Sequence, residues 1–206
     1  MDSPAPDRGD RTVVLVPIRS FDDTKSRLAG VLDATERRRL SMHMAEVVLG
    51  AAVDLPVRVV TADLDVVKWA TRVATMVLWV DVRGLNPSVT TAVDLAREEG
   101  FTRAIVAHGD LPHARDLRVV TGPGVVIAPD RHRDGSNVMG VPTDAGFEFA
   151  YGPGSFAAHR AEARRLGLAF SEVVDESLAW DVDDPEDLPA DWRTLVLTEP
   201  SADPER

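Results

Sequence analysis

The 206-residue chain contains no cysteine and almost no lysine, and each absence removes a class of chemistry. Without cysteine there is no disulfide framework, no thiolate metal site and no thiol nucleophile, which fits a reducing compartment. No apolar run is long enough to span a bilayer. The polar, proline-rich start MDSPAPDRGDR lacks the apolar core of a signal peptide. These absences predict a cytoplasmic protein that does not bind a membrane.

Acidic residues outnumber basic ones by 34 to 23, so the formal net charge is -11 at pH 7. Such a field opposes nucleic acid as a partner, so any phosphate-bearing substrate needs basic residues placed locally. Lysine occurs only at positions 25 and 68 among 23 basic residues. The length and the 44% hydrophobic content suffice for one core. They predict a single domain over residues 12–197 between disordered tails at 1–11 and 198–206. Helix surfaces rich in alanine and valine are compatible with a homo-oligomer.

Strand-like and helix-like segments alternate along the chain. Strands are predicted at 12–18, 57–61, 76–80, 103–107, 125–128, 170–174 and 178–182. Helices are predicted after the capping box Asp33–Glu36, at 64–74, at 86–99 with Asn86 as N-cap, at 156–166, and after the N-cap Asp184. This order predicts an α/β fold, an open and mostly parallel sheet with helices on both faces. Ligands of such sheets bind at the carboxyl ends of the strands.

Acidic residues collect at two of those strand ends. The stretch AWDVDDPEDL places Asp181 and Asp183 two apart, so both side chains share one face of an extended segment. Asp110 follows another apolar strand. The three carboxylates suit a hard cation such as Mg²⁺, which binds a few carboxylates together with phosphate oxygens. A turn-capping role for Asp110 remains an alternative.

Basic and hydroxyl side chains follow the other strands. The loop RSFDDTKSRLAG carries Arg19, Lys25 and Arg27 where doubly wound folds receive phosphates. An ordinary solvated charge run explains the same residues. Ser136 and the turn Gly152–Ser155 offer hydroxyl and backbone N–H groups to a second anion, although Ser155 as a simple N-cap is equally consistent. The sequence has no P-loop, no HExxH and no strand-linked GxGxxG. His43 and His159 are expected on helix surfaces and His108 in strand-end packing.

In combination, six segments resemble the guanylyltransferases of coenzyme F(420) biosynthesis, which join GTP to phosphoenolpyruvate or 2-phospho-L-lactate. They are VPIRSFDDTKSRLAGVL, GLNPSV, GDLP, APDRHRDGSN, YGPGSFAAHRAEA and WDVDDPEDL, in that order from Val14 to Leu188. The resemblance implies a Rossmann-like mixed sheet of the glycosyltransferase-A type and a requirement for Mg²⁺. Arg19 stands where this family usually has lysine, and Ser136 where threonine is common.

The resemblance also implies a role for each matching residue. Asp110, Asp181 and Asp183 are expected to hold metal, and Lys25 and Arg27 to face the triphosphate of GTP. Ser136, Gly152 and Ser155, with Asn86 nearby, are expected to receive the three-carbon acid. The implied reaction is attack by a phosphate oxygen of the acid on the α-phosphorus of GTP, for which no protein nucleophile is needed. Alternatives are a different phosphorylated three-carbon acid, or a catalytically silent GTP-binding protein of the same fold.

Overall fold

The computed structural model describes residues 11–22 and 24–197. Its strands are β1 Thr12–Pro17, β2 Val57–Thr61, β3 Met76–Trp79, β4 Arg103–Ala107, β5 Val125–Pro129, β6 Ser136–Pro142 and β7 Phe170–Glu172. Its α-helices are α1 Ala34–Gly50, α2 Leu64–Arg72, α3 Leu85–Glu98, α4 Ser155–Arg165, α5 Glu176–Ala179 and α6 Trp192–Leu197. Short 3-10 segments span Ser26–Gly30, Leu117–Val120 and Pro185–Asp187.

The strands form one sheet in the order β3-β2-β1-β4-β6-β5-β7. β6 runs antiparallel to both neighbours, and the other pairs are parallel. Side chains alternate across central β1, so Val14 and Val16 enter one core cluster while Val13 and Leu15 enter the cluster on the opposite face. Helices cover both faces, and the predicted Rossmann-like, mostly parallel sheet is confirmed.

Most of the predicted helices and strands are present with ends that shift by a few residues, and the first helix cap is as expected. The Glu36 N–H donates to Asp33 Oδ1 at 2.8 Å, and the Asp33 N–H donates to Glu36 Oε2 at 2.8 Å. This reciprocal capping box starts α1 at Ala34. The tail predicted at 1–11 lies outside the described residues except for Arg11, whose N–H donates to Thr102 Oγ1 at 3.0 Å. The tail predicted at 198–206 lies wholly outside them.

β6 is not among the predicted strands, and Ser136 and Asn137 lie outside every predicted element. They begin a strand that pairs with β5 through a hairpin. Asp130 closes this hairpin loop, since its side chain accepts the N–H groups of His132, Asp134 and Gly135. Gly140 allows β6 to pass close to the 117–120 segment, because a Cβ atom there would lie 2.1 Å from the Val120 carbonyl oxygen. Because the strand begins with two polar residues and contains a glycine, its sequence lacks the continuous apolar run or regular alternation typical of a strand.

Three predictions near functional segments were wrong. Residues 178–182 do not form a strand; Asp175 caps α5 by accepting the Ser177 N–H at 2.8 Å, and the chain leaves this helix extended. The helix expected after Asp184 is only the 3-10 segment Pro185–Asp187. Asn86 is not an N-cap but the second residue of α3, which frees its side chain for a distant contact. No helix of the described residues is both long and apolar enough to cross a membrane.

Candidate active site

The carboxyl ends of β1 and β4 open into one cleft. Its volume is about 440 Å³, within the range of roughly 300–1,000 Å³ usual for small-molecule sites. The charged or ionisable residues that line it are Arg19, Lys25, Arg27, His108, Asp110 and Asp183. Five of these were predicted as site residues from the sequence. The cleft therefore combines a basic loop with carboxylates from two other parts of the chain.

Lys25 links the acidic residues of the cleft directly. Its Nζ atom donates to Asp110 Oδ2 at 2.5 Å and to Asp183 Oδ1 at 3.0 Å. Its backbone has a φ of 55°, a left-handed conformation that is uncommon for a residue other than glycine and is often retained at functional sites. Burial lowers the pKa of the Lys25 ammonium, but Asp110 and Asp183 outweigh this and raise the pKa above its ordinary value. Lys25 is therefore a cation at neutral pH.

The three predicted metal-binding aspartates lie in different electrostatic environments. Burial opposes ionisation of Asp110, but Lys25 and His108 hold the pKa of its carboxyl below the ordinary value. Burial and the charges of Asp110 and Asp183 raise the pKa of Asp181. The Val182 N–H donates to the Asp110 carbonyl oxygen at 3.3 Å, which joins the two segments through their backbones. The structure thus brings Asp110 together with the 181–183 segment.

The donor atoms of this cluster fit a hard cation. Within residues 11–22 and 24–197, no three histidine or acidic side chains enclose a preformed metal site, and Lys25 bridges two of the carboxylates instead. Nevertheless, Asp110 Oδ1 is buried without a hydrogen-bond partner, a costly arrangement for an ionised oxygen. The side chains of Asp110, Asp181 and Asp183 are all carboxylates, which bind metal ions through oxygen. Mg²⁺ prefers such ligands and commonly takes only one or two carboxylates, with waters and substrate phosphates completing its shell.

Asp187 holds the acidic segment in its extended conformation. Its Oδ2 atom accepts the N–H groups of Asp183 at 3.0 Å and Asp184 at 2.8 Å. Its Oδ1 atom accepts from Arg131, whose guanidinium also lies 4.4 Å from the centre of the Trp180 ring. Burial raises the pKa of Asp187, but the two N–H groups and Arg131 lower it below its ordinary value. Asp187 therefore fixes the backbone that carries Asp183, while Asp184 pairs with Arg27 at 3.3 Å.

Ser136 and Ser155 form a buried hydrogen-bond network next to the cleft and do not line it. The Ser136 N–H donates to Ser155 Oγ at 3.0 Å, and His159 Nδ1 lies 3.0 Å from Ser136 Oγ. The Ala150 N–H donates to His159 Nε2 at 2.9 Å. Because Nε2 accepts, the proton of the neutral ring is on Nδ1 and is donated to Ser136. The hydroxyl hydrogens of Ser136 and Ser155 thus take no part in these hydrogen bonds, and both side chains are buried.

The turn before α4 connects this network to α3. Gly152 and Gly154 have φ angles of 129° and 75°, which favour glycine. The Asn86 side chain accepts the Tyr151 N–H at 2.6 Å and donates to the Tyr151 carbonyl oxygen at 3.3 Å. Asn86, Gly152, Ser136 and Ser155 therefore lie around one turn, and their role toward the acid substrate stays a prediction.

The prediction for His159 was wrong, whereas His108 does pack at the end of a strand as expected. His159 was predicted on a helix surface but is completely buried. The spacing of the buried residues Phe156, His159 and Ala163 follows one face of α4 and is the signal that indicates burial. His108 lies beyond the end of β4 and lines the cleft, with its ring centroid 5.1 Å from that of Tyr151. It therefore packs against the residue that precedes the turn at 152–155.

The fold is that of nucleotidyltransferases. A cytidylyltransferase from Leptospira borgpetersenii matches it with a TM-score of 0.57 and 14% identity, over 86% of this chain and 83% of that chain. The similarity places this chain in the same fold class, with its cleft at the carboxyl ends of the strands.

Within that class, the chain belongs to the guanylyl transferase CofC-like family, whose model matches residues 12–190. A phosphoenolpyruvate guanylyltransferase from Sphaerobacter thermophilus is 35% identical over 188 residues, covering 86% of this chain and 90% of the relative. Another from Conexibacter woesei is 37% identical over 193 residues, covering 87% and 86%. The family resemblance inferred from the six sequence segments is confirmed.

Proposed function

We propose that the protein joins GTP to phosphoenolpyruvate and releases pyrophosphate, as a step of deazaflavin coenzyme F(420) biosynthesis. The names of the Sphaerobacter and Conexibacter relatives support this choice of substrates. The observation that carries the proposal is the single cleft in which Lys25 joins Asp110 to Asp183 and two arginines stand nearby. Two phosphorylated anions repel each other, and such a cleft can neutralise both.

In the proposed reaction, a phosphate oxygen of the acid forms a bond with the α-phosphorus of GTP. The bond from that phosphorus to the bridging oxygen breaks, and pyrophosphate leaves with the bonding electrons. The attacking oxygen is already ionised at neutral pH, so the chain needs neither a covalent nucleophile nor a strong base. Arg19, Lys25 and Arg27 bind the triphosphate and stabilise the leaving pyrophosphate. The turn from Gly152 to Ser155 orients the acid.

We assign Asp110, Asp181 and Asp183 to the binding of Mg²⁺. The bare, buried Asp110 Oδ1 and the raised pKa of Asp181 both indicate carboxylates that a further cation would stabilise. Bound Mg²⁺ would supply charge neutralisation between the two sets of phosphate oxygens. The protein's part is to hold these carboxylates close together, and the contacts of Asp187 with the backbone of Asp183 and Asp184 support the position of Asp183.

A panel of substrates tests this function. Pyrophosphate release is measured with Mg²⁺ and GTP or ATP, combined with phosphoenolpyruvate, 2-phospho-L-lactate or no acid. We expect release with GTP and phosphoenolpyruvate and none without an acid. Faster turnover with 2-phospho-L-lactate would replace the proposed acid but keep the reaction. If no acid supports turnover, although the folded protein binds GTP, the chain is a GTP-binding protein and not a transferase.

A further inference from the structure

His108 and Tyr151, whose rings are in contact, each carry a buried polar atom that none of the contacts described so far uses. His108 Nε2 and Tyr151 Oη each lack a hydrogen-bond partner among the described residues, as does Asp110 Oδ1. A buried polar atom without a partner loses the hydrogen bonds of water and gains nothing in return. Burial raises the pKa of the Tyr151 hydroxyl, and no neighbouring charge opposes the shift. The hydroxyl is therefore a neutral donor at neutral pH.

The surroundings of Tyr151 explain why its hydroxyl stays where it is. The ring contacts His108 at a centroid distance of 5.1 Å, His159 at 4.8 Å and Phe149 at 6.0 Å. Its backbone N–H and carbonyl groups are both fixed by Asn86. A side chain held on this many sides cannot turn its hydroxyl to solvent without breaking its packing. The unpaired atom is thus a stable feature of the fold.

His108 and Tyr151 lie between the cleft that contains Asp110 and the turn that the proposed function assigns to the acid. His108 lines the cleft that contains Asp110 and Lys25. Tyr151 immediately precedes the turn assigned to the acid, and its ring touches His159, the hydrogen-bond partner of Ser136. A phosphorylated acid has to reach from the carboxylate cluster to that turn, so it passes the two rings. The triphosphate is assigned to the basic loop on the other side of the cleft.

We propose that His108 Nε2 and Tyr151 Oη are hydrogen-bond donors to an anionic oxygen of the phosphorylated acid substrate. This inference rests on the proposed function and adds two binding residues to it. Tyrosine donates its hydroxyl proton, and His108 donates from Nε2 in the tautomer that carries its proton there. A bond from either donor to an anion is charge-assisted and stronger than one between neutral groups. The pair selects for the acid and does not contact GTP.

The variant Tyr151→Phe tests the hydroxyl with the ring retained. We expect the KM for phosphoenolpyruvate to rise about tenfold or more, while kcat and the KM for GTP stay close to wild type. The melting temperature of the ligand-free variant should equal or exceed that of wild type, because an unpaired buried hydroxyl has been removed. His108→Phe retains the ring contact and should raise the same KM without changing that for GTP.

Thr143→Val is the matched control, since it removes a buried hydroxyl that has a partner. Thr143 Oγ1 donates to the Phe101 carbonyl oxygen at 2.7 Å. This variant should melt at a lower temperature and keep both KM values. An unchanged KM for the acid in Tyr151→Phe overturns the inference, and so does a rise confined to GTP or a large loss of stability. In each of these cases wild-type turnover preserves the proposed function. A wild-type enzyme inactive with every acid defeats the proposed function and this inference with it.

Discussion

The charged residues in and beside the cleft influence one another's charge state. The Lys25 side chain is 10% exposed and pairs with carboxylates from two distant parts of the chain. Asp181 forms no ion pair among the described residues, and its pKa is raised by burial and by Asp110 and Asp183. The cluster thus holds more negative charge than the single lysine neutralises. This excess is what a divalent cation or a basic ligand would relieve.

Asp183→Asn tests the role of this charge with little change of shape. Turnover should fall by roughly 100-fold or more, because one charge that stabilises the cation and its phosphates is lost. The Asp183 side chain is 55% exposed, so the melting temperature should change little. Steady-state kinetics and thermal unfolding measure the two effects, and Asp144→Asn, at an exposed site, is the control. Near-normal turnover would remove Asp183 from the metal assignment.

His159 should make the stability of the protein depend on pH. Burial, assisted by His108 and opposed by Glu162, lowers the pKa of His159 to about 4. On acidification, the unfolded chain binds a proton that the folded protein does not, so the free energy of unfolding falls as the pH drops below 6.5. The loss attributable to His159 is about 2 kcal/mol between pH 7 and pH 5.

Urea unfolding at both pH values measures this loss in wild type and in His159→Gln, which cannot titrate. The difference between pH 7 and pH 5 should shrink by the stated amount in the variant. His132→Gln, at an exposed histidine, should behave as wild type. An identical pH dependence of wild type and His159→Gln would show that the folded protein accepts the proton at His159.

Elements whose pattern is regular could be predicted from sequence, whereas those held by side-chain contacts could not. The apolar run of β1 predicted a buried strand, and the capping box before α1 predicted the start of that helix. β6 was missed because its first residues are serine and asparagine, which are polar and yet buried. Each is hydrogen-bonded to a residue far along the chain, Ser136 to Ser155 and Asn137 to Leu178. The 181–183 segment is extended without strand pairing. Its position beside Asp110 was predicted from the placement of both at the sheet edge, and Val182 does contact the Asp110 backbone, but only Asp183 of the two aspartates lines the cleft.

The acidic segment depends on Asp187 more than on its other carboxylates. Asp187→Ala should lower the free energy of unfolding by about 2 kcal/mol, since it leaves two N–H groups and Arg131 without their buried acceptor. Turnover should fall as well, because the backbone of Asp183 loses its support. Glu186→Gln removes an exposed charge next to it and should change neither property. Denaturant unfolding with kinetic assays decides the matter, and an unaltered stability of Asp187→Ala contradicts the structural role.

For the molecule as a whole, a net charge of -11 is compatible with the proposed anion-binding site because basic residues are placed locally in the cleft. The sheet brings the loop after β1 and the end of β4 to one edge, where three basic residues line the cleft. Long-range attraction of anions by the protein is therefore absent, and affinity depends on short-range contacts. Sequence alone identified both the family and the edge of the sheet. It could not give the Lys25 bridge or the His159 network, since both join residues far apart in the chain.

The most direct measurement of the central claim is the identity of the product. Protein, GTP, phosphoenolpyruvate and Mg²⁺ are incubated together and analysed by mass spectrometry, with a chelator in a parallel sample. The account predicts one guanylylated acid for each pyrophosphate released, and neither product when the chelator is present. Formation of GDP and inorganic phosphate, or a product yield that is unaffected by the chelator, would contradict it.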